Sequence, residues 1–498
     1  MPAPTLLLTG ARVLAPDALS APLADVLVKD GRIAAILPPG TAVEGAQTHD
    51  ASKRLIIPGL VNGHTHGHGG LAKGAGDKWD LALLLAHAPW ISGGRVLRDK
   101  WLSTALNAVE NLKKGCTAVF DLPAEFPCPT VEGLDAMADA YATVGLRGII
   151  APMVADLTFF QATPGLPEAL PASVRARAEG MRMPPAQQIL DAIAAAAKSW
   201  SHTSKGIVLG CAPTIPLHCT DEFMKGCRTL AAEYGMRMQT HVAESRYQYA
   251  GGVIRYEGAT LLEHMDRLGL VGDWFSVAHG VWLTDSDLDL LAKRGGGLSH
   301  NPGANMRLSS GIAPARKAIK AGVTVGIGTD GSSSSDNQNM FESMRLAAFA
   351  SRLWEDSEED DWLGTAETVR LATAGSSKLL GLDGGVIEAG RAADLVLLDL
   401  DHINWAPLND AANQLVWTED GAAVVDVMIG GEWKLRDRKV LGLDESKLAA
   451  EANEAAERLR GVNAEVKAWC HEVAPHVACH CRYLAKGWTK SKRLLRAE

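Results

Sequence analysis

The sequence predicts an α/β protein: a (β/α)8 barrel with a small β-sandwich domain assembled from both ends of the chain. Three observations predict it. Through the middle of the chain, short apolar β-type runs alternate with longer helical patterns, which indicates a parallel sheet with crossover helices. Eight such runs occur over roughly 320 residues, a span that suits a barrel with insertions. At both ends of the chain the β-type runs recur without helices between them.

The N-terminal runs are Thr5–Leu8, Arg12–Leu14, Asp25–Lys29 and Arg32–Leu37, with Asp30-Gly31 between the last two as a hairpin signal. The barrel runs follow: Leu55–Val61, Cys116–Leu122, Arg147–Met153, Lys205–Ala212, Gly235–His241, Trp274–His279, Gly296–His300 and Gly322–Thr329. Between them, Arg98–Lys114 and Pro185–Trp200 carry apolar residues at helical spacing. An open doubly wound sheet would need a Gly-rich phosphate loop after the first strand, and none with that spacing is present there. β-type runs return at Ala393–Leu398, Val424–Ile429 and Glu432–Arg436. An Ala/Glu-rich helix is expected over Ser446–Trp469, followed by a basic tail. The expected partition is therefore 1–57 and 386–442 for the β-sandwich, 58–385 for the barrel, and 443–498 for a helical extension. The acidic run Glu355–Asp361 reads as a solvated face.

Lys and Arg number 49 against 58 Asp and Glu, a formal charge of −9, which argues against a general nucleic-acid binder. No apolar run reaches the roughly 18 residues of a membrane span. The opening residues read as a strand, not a secretory leader. Eight Cys in 498 residues are no disulfide framework, so the cytoplasm is the expected location. A small molecule is the expected partner, with neither nucleic acid nor membrane.

The residues that carry chemistry stand at strand ends. His64 and His66 lie two apart in "PGLVNGHTHGH", so on a strand both imidazoles face one side. His68 is a third candidate, although Gly69-Gly70 suggests that the strand has ended. His241, His279, His300 and Asp330 each terminate a later apolar run. Barrel active sites sit at that end of the strands. His64, His66, His241 and Asp330 would hold one divalent metal with a position left for water, whose pKa falls to about 7 there. Asp330 would accept the water proton, Glu244 would pass it to a leaving nitrogen, and His279 would orient the water. The reaction class is hydrolytic displacement at an electrophilic carbon.

This pattern resembles the cytosine-deaminase-like branch of the amidohydrolase superfamily. The matching segments are "PGLVNGHTH", "THVAES", "AHGVWLTDSDLDLLA", "SHNPGANMRLSSGIAP", "GVTVGIGTDGSSSSDNQNMFESMRLAA" and "GVIEAGRAADLVLLDL". The resemblance implies a barrel inside a split β-sandwich and one metal at the four residues named, with Glu244 and His279 assisting. Zinc is the expected ion, with iron, manganese or cobalt as alternatives. The fourth strand ends "GCAPTIP" without the bridging Lys of two-metal relatives. Homodimers or larger homo-oligomers are implied by analogy.

The implied activity is deamination of a heteroaromatic amine. Hydrolysis of an amide, urea or carbon–halogen bond of a xenobiotic ring is the alternative, and a non-catalytic scaffold is a third reading, against which the retained ligands argue. Thr214 stands where nucleoside-type members carry His, and "GDKWDLALLLAHAPW" has no clear ribose-binding acid, so a free heterocycle is expected instead of a nucleoside. Trp79, Trp90 and Trp282 are candidates to stack on that ring. Arg246 is a candidate for an anionic substituent, against a salt-bridged helix Arg. Thr214, His300 and Ser332 are further substrate-side candidates, with Ser332–Ser335 as a polar mouth loop. Cys470, His471, His476, Cys479, His480 and Cys481 crowd the tail, but their spacings fit no standard zinc pattern.

Overall fold

A computed structural model describes residues 5–335, 337–354 and 357–486. The basic tail beyond Lys486, and Glu355 and Asp356 of the acidic run, lie outside the described residues.

The first strands are β1 (Leu6–Val13), β2 (Leu23–Lys29), β3 (Arg32–Leu37), β4 (Gln47–Asp50) and β5 (Arg54–Pro58). A parallel series follows: β6 (Leu60–His66), β7 (Cys116–Asp121), β8 (Arg147–Ile150), β9 (Met153–Val154), β10 (Ile207–Leu209), β11 (Ala212–Pro213), β12 (Met238–Val242), β13 (Phe275–His279), β14 (Gly297–His300), β15 (Thr324–Ile327) and β16 (Asp330–Gly331). The last strands are β17 (Leu395–Asp399), β18 (Val424–Ile429), β19 (Glu432–Arg436) and β20 (Lys439–Val440).

Both chain ends meet in one nine-stranded sheet of order β20-β19-β18-β17-β5-β1-β2-β3, with β4 alongside β1. The seam is β5 against β17, antiparallel, with Ile56 opposite Leu397. Period-two alternation gives that sheet two apolar faces. Leu8, Val26, Ile33, Ile56, Leu395 and Leu397 form a core of their own, while Leu55, Ile57, Val396 and Leu398 pack into the main core. Pairing thus joins in one continuous sheet the segments expected as a sandwich. The two N-terminal runs are one strand, because Gly10 at φ 71° makes a bulge between Leu8 and Ala11. The hairpin forms at Asp30 and Gly31, both at positive φ, which closes two strands with matching twist.

The run expected as the first barrel strand divides at Pro58-Gly59 between two sheets. β5 belongs to the terminal sheet, and β6 begins at Leu60 and continues through His66. A Cβ on Gly59 would lie 2.2 Å from Thr117 Oγ1, so only Gly lets the chain cross there. From β6 the parallel pairing passes to β7, β8 and β10, with β9 on β11. A bridge from Cys211 to Met238 carries it to β12, then β13, β14 and β15. β16, the continuation of β15, pairs with β6. Two expected runs are each interrupted, as β8–β9 and β10–β11, while the run Gly322–Thr329 holds β15 and β16 begins just past it.

Helices Leu97–Lys113 and Ala186–Ser199 fall where helical spacing predicts them. The expected C-terminal helix is two, Glu445–Val462 and Ala464–Ala485, separated at Asn463. No helix among the described residues is long and apolar enough to cross a membrane.

Candidate metal centre

β6 carries His64 and His66, β12 carries His241, β13 ends at His279, and β16 begins at Asp330. Parallel pairing brings these C-terminal strand ends to one rim. His66 Nε2 lies 3.0 Å and His64 Nε2 3.4 Å from Asp330 Oδ1. His66 Nε2 lies 3.2 Å from His241 Nε2. His279 and Asp330 adopt φ 71° and 63°, a left-handed backbone that costs such residues about 1 kcal/mol or more each. Asp330 is held in that conformation through its carbonyl, which accepts from Gln338 Nε2 at 2.9 Å and Thr65 Oγ1 at 3.2 Å.

Each imidazole is oriented through Nδ1. His64 Nδ1 meets Gln239 Oε1 at 2.7 Å and His66 Nδ1 meets the Leu122 carbonyl at 2.6 Å. His241 Nδ1 meets the Thr214 carbonyl at 2.7 Å and His279 Nδ1 meets Asn305 Oδ1 at 2.9 Å. These oxygens only accept, so Nδ1 carries the proton and the Nε2 lone pair points inward. Gln239 is fixed in turn by donating to the Gly63 carbonyl and Ser276 Oγ.

The inward atoms face one another. His64 Nε2, His279 Nε2 and Asp330 Oδ1 are buried and make no hydrogen bond. The donor atoms of His64, His66 and His241 lie within 4.8 Å of one another, as do those of His64, His279 and Asp330. Converging lone pairs and a carboxylate repel unless a cation lies between them, so the donor set fits a divalent metal. Burial and then the neighbouring imidazoles hold His241 well below the ordinary histidine range. Burial works against Asp330 ionising, yet His64 and His66 hold its carboxyl far below the usual range. Burial also opposes charge on His66, but Asp330 raises it above its ordinary value.

Glu244 follows β12 and is 2 % exposed. Burial, then the charge of Asp330, lifts its carboxyl well above the usual range. Its Oε2 lies 3.9 Å from His279 Nε2, and burial holds that imidazole near pKa 3. The Glu244 and Asp330 carboxyls are thus pushed in opposite directions, which suits one to proton donation and the other to proton acceptance.

His66, His241, Glu244, His279 and Asp330 line a cavity of about 700 Å³, while His64 is fully buried and does not. Thr214 lines it as expected and also holds His241. His68 lines it too, its Nδ1 accepting from the Ala124 amide at 3.1 Å, because the chain continues beside the rim after β6. Other sequence candidates do not line it. Trp79 stacks on His87 at 4.5 Å, and Trp90 Nε1 donates to His87 Nδ1 at 3.0 Å, so both are occupied in a separate aromatic cluster. Trp282 Nε1 donates to the Ser310 carbonyl, and the Arg246 guanidinium lies 5.3 Å over the indole ring. Ser332 is buried beside Gln338, while Ser333 and Ser334 reach the cavity. His300 is buried away from the lining, where burial lowers its pKa to about 4. In the tail, Cys470 and Cys481 are buried in a helix and Cys479 is exposed. Among the described residues the tail forms no cluster of three metal-ligating atoms. Sequence reasoning missed Gln239 and Asn305. Gln239 had a signal: it stands two residues before His241, on the same face of the strand.

Parallel strands that converge imidazoles and a carboxylate on one buried point define a metal-dependent hydrolase. The chain belongs to the amidohydrolase family, whose model matches residues 55–434. It is 33% identical over 457 residues to the 5-methylthioadenosine/S-adenosylhomocysteine deaminase of Haloarcula marismortui, covering 91% of this chain and 98% of that one. It is 34% identical over 415 residues to the 5'-deoxyadenosine deaminase of Methanopyrus kandleri, covering 82% and 87%. Among solved structures, a zinc-bound adenosine deaminase from Xanthomonas campestris superposes with TM-score 0.77 at 29% identity, over 92% of this chain and 98% of that one. Atrazine chlorohydrolase from Arthrobacter aurescens, complexed with zinc, shares the fold at TM-score 0.79 and 24% identity, over 91% and 100%. The names of these deaminases are those of adenosine derivatives, whereas the Thr214 departure led to the expectation of a free heterocycle.

Proposed function

We propose that the chain is a metal-dependent aminohydrolase that removes an exocyclic amine from a heteroaromatic ring. In this reading His64, His66, His241 and Asp330 hold one divalent cation, zinc by analogy with the zinc-bound neighbours. The carrying observation is the convergence of the buried His64, His66, His241 and His279 imidazoles on the Asp330 carboxylate, with Glu244 beside His279.

A cation held there supplies Lewis-acid polarisation and makes water acidic enough to serve as a nucleophile near neutral pH. Asp330 accepts the proton that water gives up. Glu244 donates a proton to the ring nitrogen as the carbon–oxygen bond forms; the proton taken up by Asp330 then passes to the departing amine as the carbon–nitrogen bond breaks, and the hydroxyl proton returns to Glu244. His279 accepts a hydrogen bond at Nε2 and orients the attacking water. The named relatives make an adenosine derivative the first substrate class to try. The parallel pairing supports a closed (β/α)8 barrel over 58–385, and the separate apolar core of the terminal sheet supports a β-sandwich built from 1–57 and 386–442, with 443–498 as extension.

Ammonia release from adenosine, 5'-methylthioadenosine, adenine and guanine by the metal-loaded protein tests the activity. Stoichiometric ammonia, lost on chelation and regained with zinc, is expected. No ammonia from any ring amine, or halide released from a chlorotriazine in its place, overturns the deaminase reading.

A further inference from the structure

The family match ends at residue 434, yet the cavity leans on chain beyond it. Part of its wall comes from segments outside the parallel strands: the helix Leu81–Ser92, the short helix Phe159–Ala162 and the stretch Met181–Met183. Leu84, Leu85, Phe159 and Phe160 line the cavity there. The helix Leu81–Ser92 carries no carboxylate and offers apolar surface; the lining acid outside the metal centre, Glu125, is paired with Lys100.

Behind that wall lies the helix Ala464–Ala485. Trp469, Val473, Val477 and Cys481 are buried in one apolar cluster with Leu81, Phe159 and Phe160. The Trp469 ring meets that of Phe160 edge-on at 5.6 Å. Polar ties fix the layers at their ends. His480 Nε2 donates to the Pro164 carbonyl at 2.8 Å, and Asn463 Nδ2 donates to the Gly93 carbonyl at 3.0 Å. Trp469 itself does not line the cavity, so its effect passes through Phe160.

We propose that Ala464–Ala485 is a specificity element. It braces Leu84, Leu85, Phe159 and Phe160 as an apolar subsite, and the ring that enters the cavity carries an alkyl or aryl substituent of about benzyl size, placed away from the reacting carbon. For the reaction, this rests on the deaminase reading; for binding, it does not. Trp469 is a positioning residue, because it holds the wall without touching the ligand.

Calorimetry on the metal-loaded protein with purine and 9-benzylpurine, which lack an amine to lose, separates the two claims. 9-Benzylpurine should bind roughly tenfold or more tighter than purine, the size of discrimination an apolar pocket makes for added hydrocarbon. Leu84→Asp should abolish that preference. Trp469→Ala should cut it by about tenfold and raise KM for 9-benzyladenine to match, with kcat within about twofold and metal content at the wild-type level; Trp469→Phe should restore it. Equal affinity for the two purines, no binding of 9-benzylpurine, or an undiminished preference in Trp469→Ala overturns the proposal. If Trp469→Ala does not fold, the wild-type preference and Leu84→Asp decide. A benzyl preference without ammonia from either adenine would sink the deaminase reading and leave the subsite standing.

Discussion

The two ends of the cavity are held by different physics. At one end the imidazoles of His64, His66, His241 and His279 are each pinned twice, by a strand and by an oxygen on Nδ1. Hydrogen bonds have direction, so this end fixes where lone pairs point. At the other end Leu84, Leu85, Phe159 and Phe160 are placed by apolar packing against a C-terminal helix. Packing fixes volume and leaves direction loose. Chemistry is thus built on strands, and selectivity on helices and connecting segments. Damage at the first end should appear in metal content and kcat, and damage at the second in KM.

The largest expected effect lies at the strand end. Glu244→Gln should lower kcat by roughly 10²–10⁴ with metal content unchanged, the range for a lost proton donor. A variant that loses metal instead would make Glu244 a ligand and blur the division. Next comes Gln239→Leu, which frees His64 Nδ1. It should weaken metal affinity by roughly 10–100-fold, read by competition with a chromogenic chelator. Unchanged affinity would mean that the strand alone orients His64.

His300 sharpens the contrast through pH. Burial lowers its pKa from 6.5 to about 4 in the folded state. On acidification the unfolded chain takes up this proton first, so the group's contribution is complete above about pH 6.5 and drains away toward pH 4. The shift corresponds to about 3 kcal/mol at most, an order-of-magnitude figure. Denaturant titrations at neutral pH and near pH 4.5 should therefore show His300→Gln losing less stability on acidification than wild type. Parallel losses would place His300 in contact with water. The smallest effect is expected at Trp79→Ala, which should change KM by no more than about twofold, since the ring stacks on His87. A larger rise in KM would carry the ligand beyond the cavity described.

What the sequence reveals follows the same division. His64, His66, His241, His279 and Asp330 were legible because each closes an apolar run, and strand ends share one rim in a parallel sheet. The facing wall was not, because the tail helix meets Leu81–Ser92 from hundreds of residues away and no local period marks that contact. Trp79 and Trp90 show the cost of judging aromatics by type: their partner, His87, is a neighbour on the helix, and the pair turns from the cavity. β4 escaped notice because "QTHD" is polar and mostly exposed, with no alternation to read. The break at Asn463 had a signal that the single-helix reading passed over: Gly461-Val462-Asn463 are poor helix formers.

The central claim is that these four side chains hold one divalent cation. Metal content per chain, measured by plasma mass spectrometry on wild type and on Asp330→Asn purified under the same zinc supply, tests it most directly. About one equivalent in wild type and a small fraction of that in a folded Asp330→Asn is the predicted result. A metal-free wild type, or a variant that keeps its full equivalent, would contradict it.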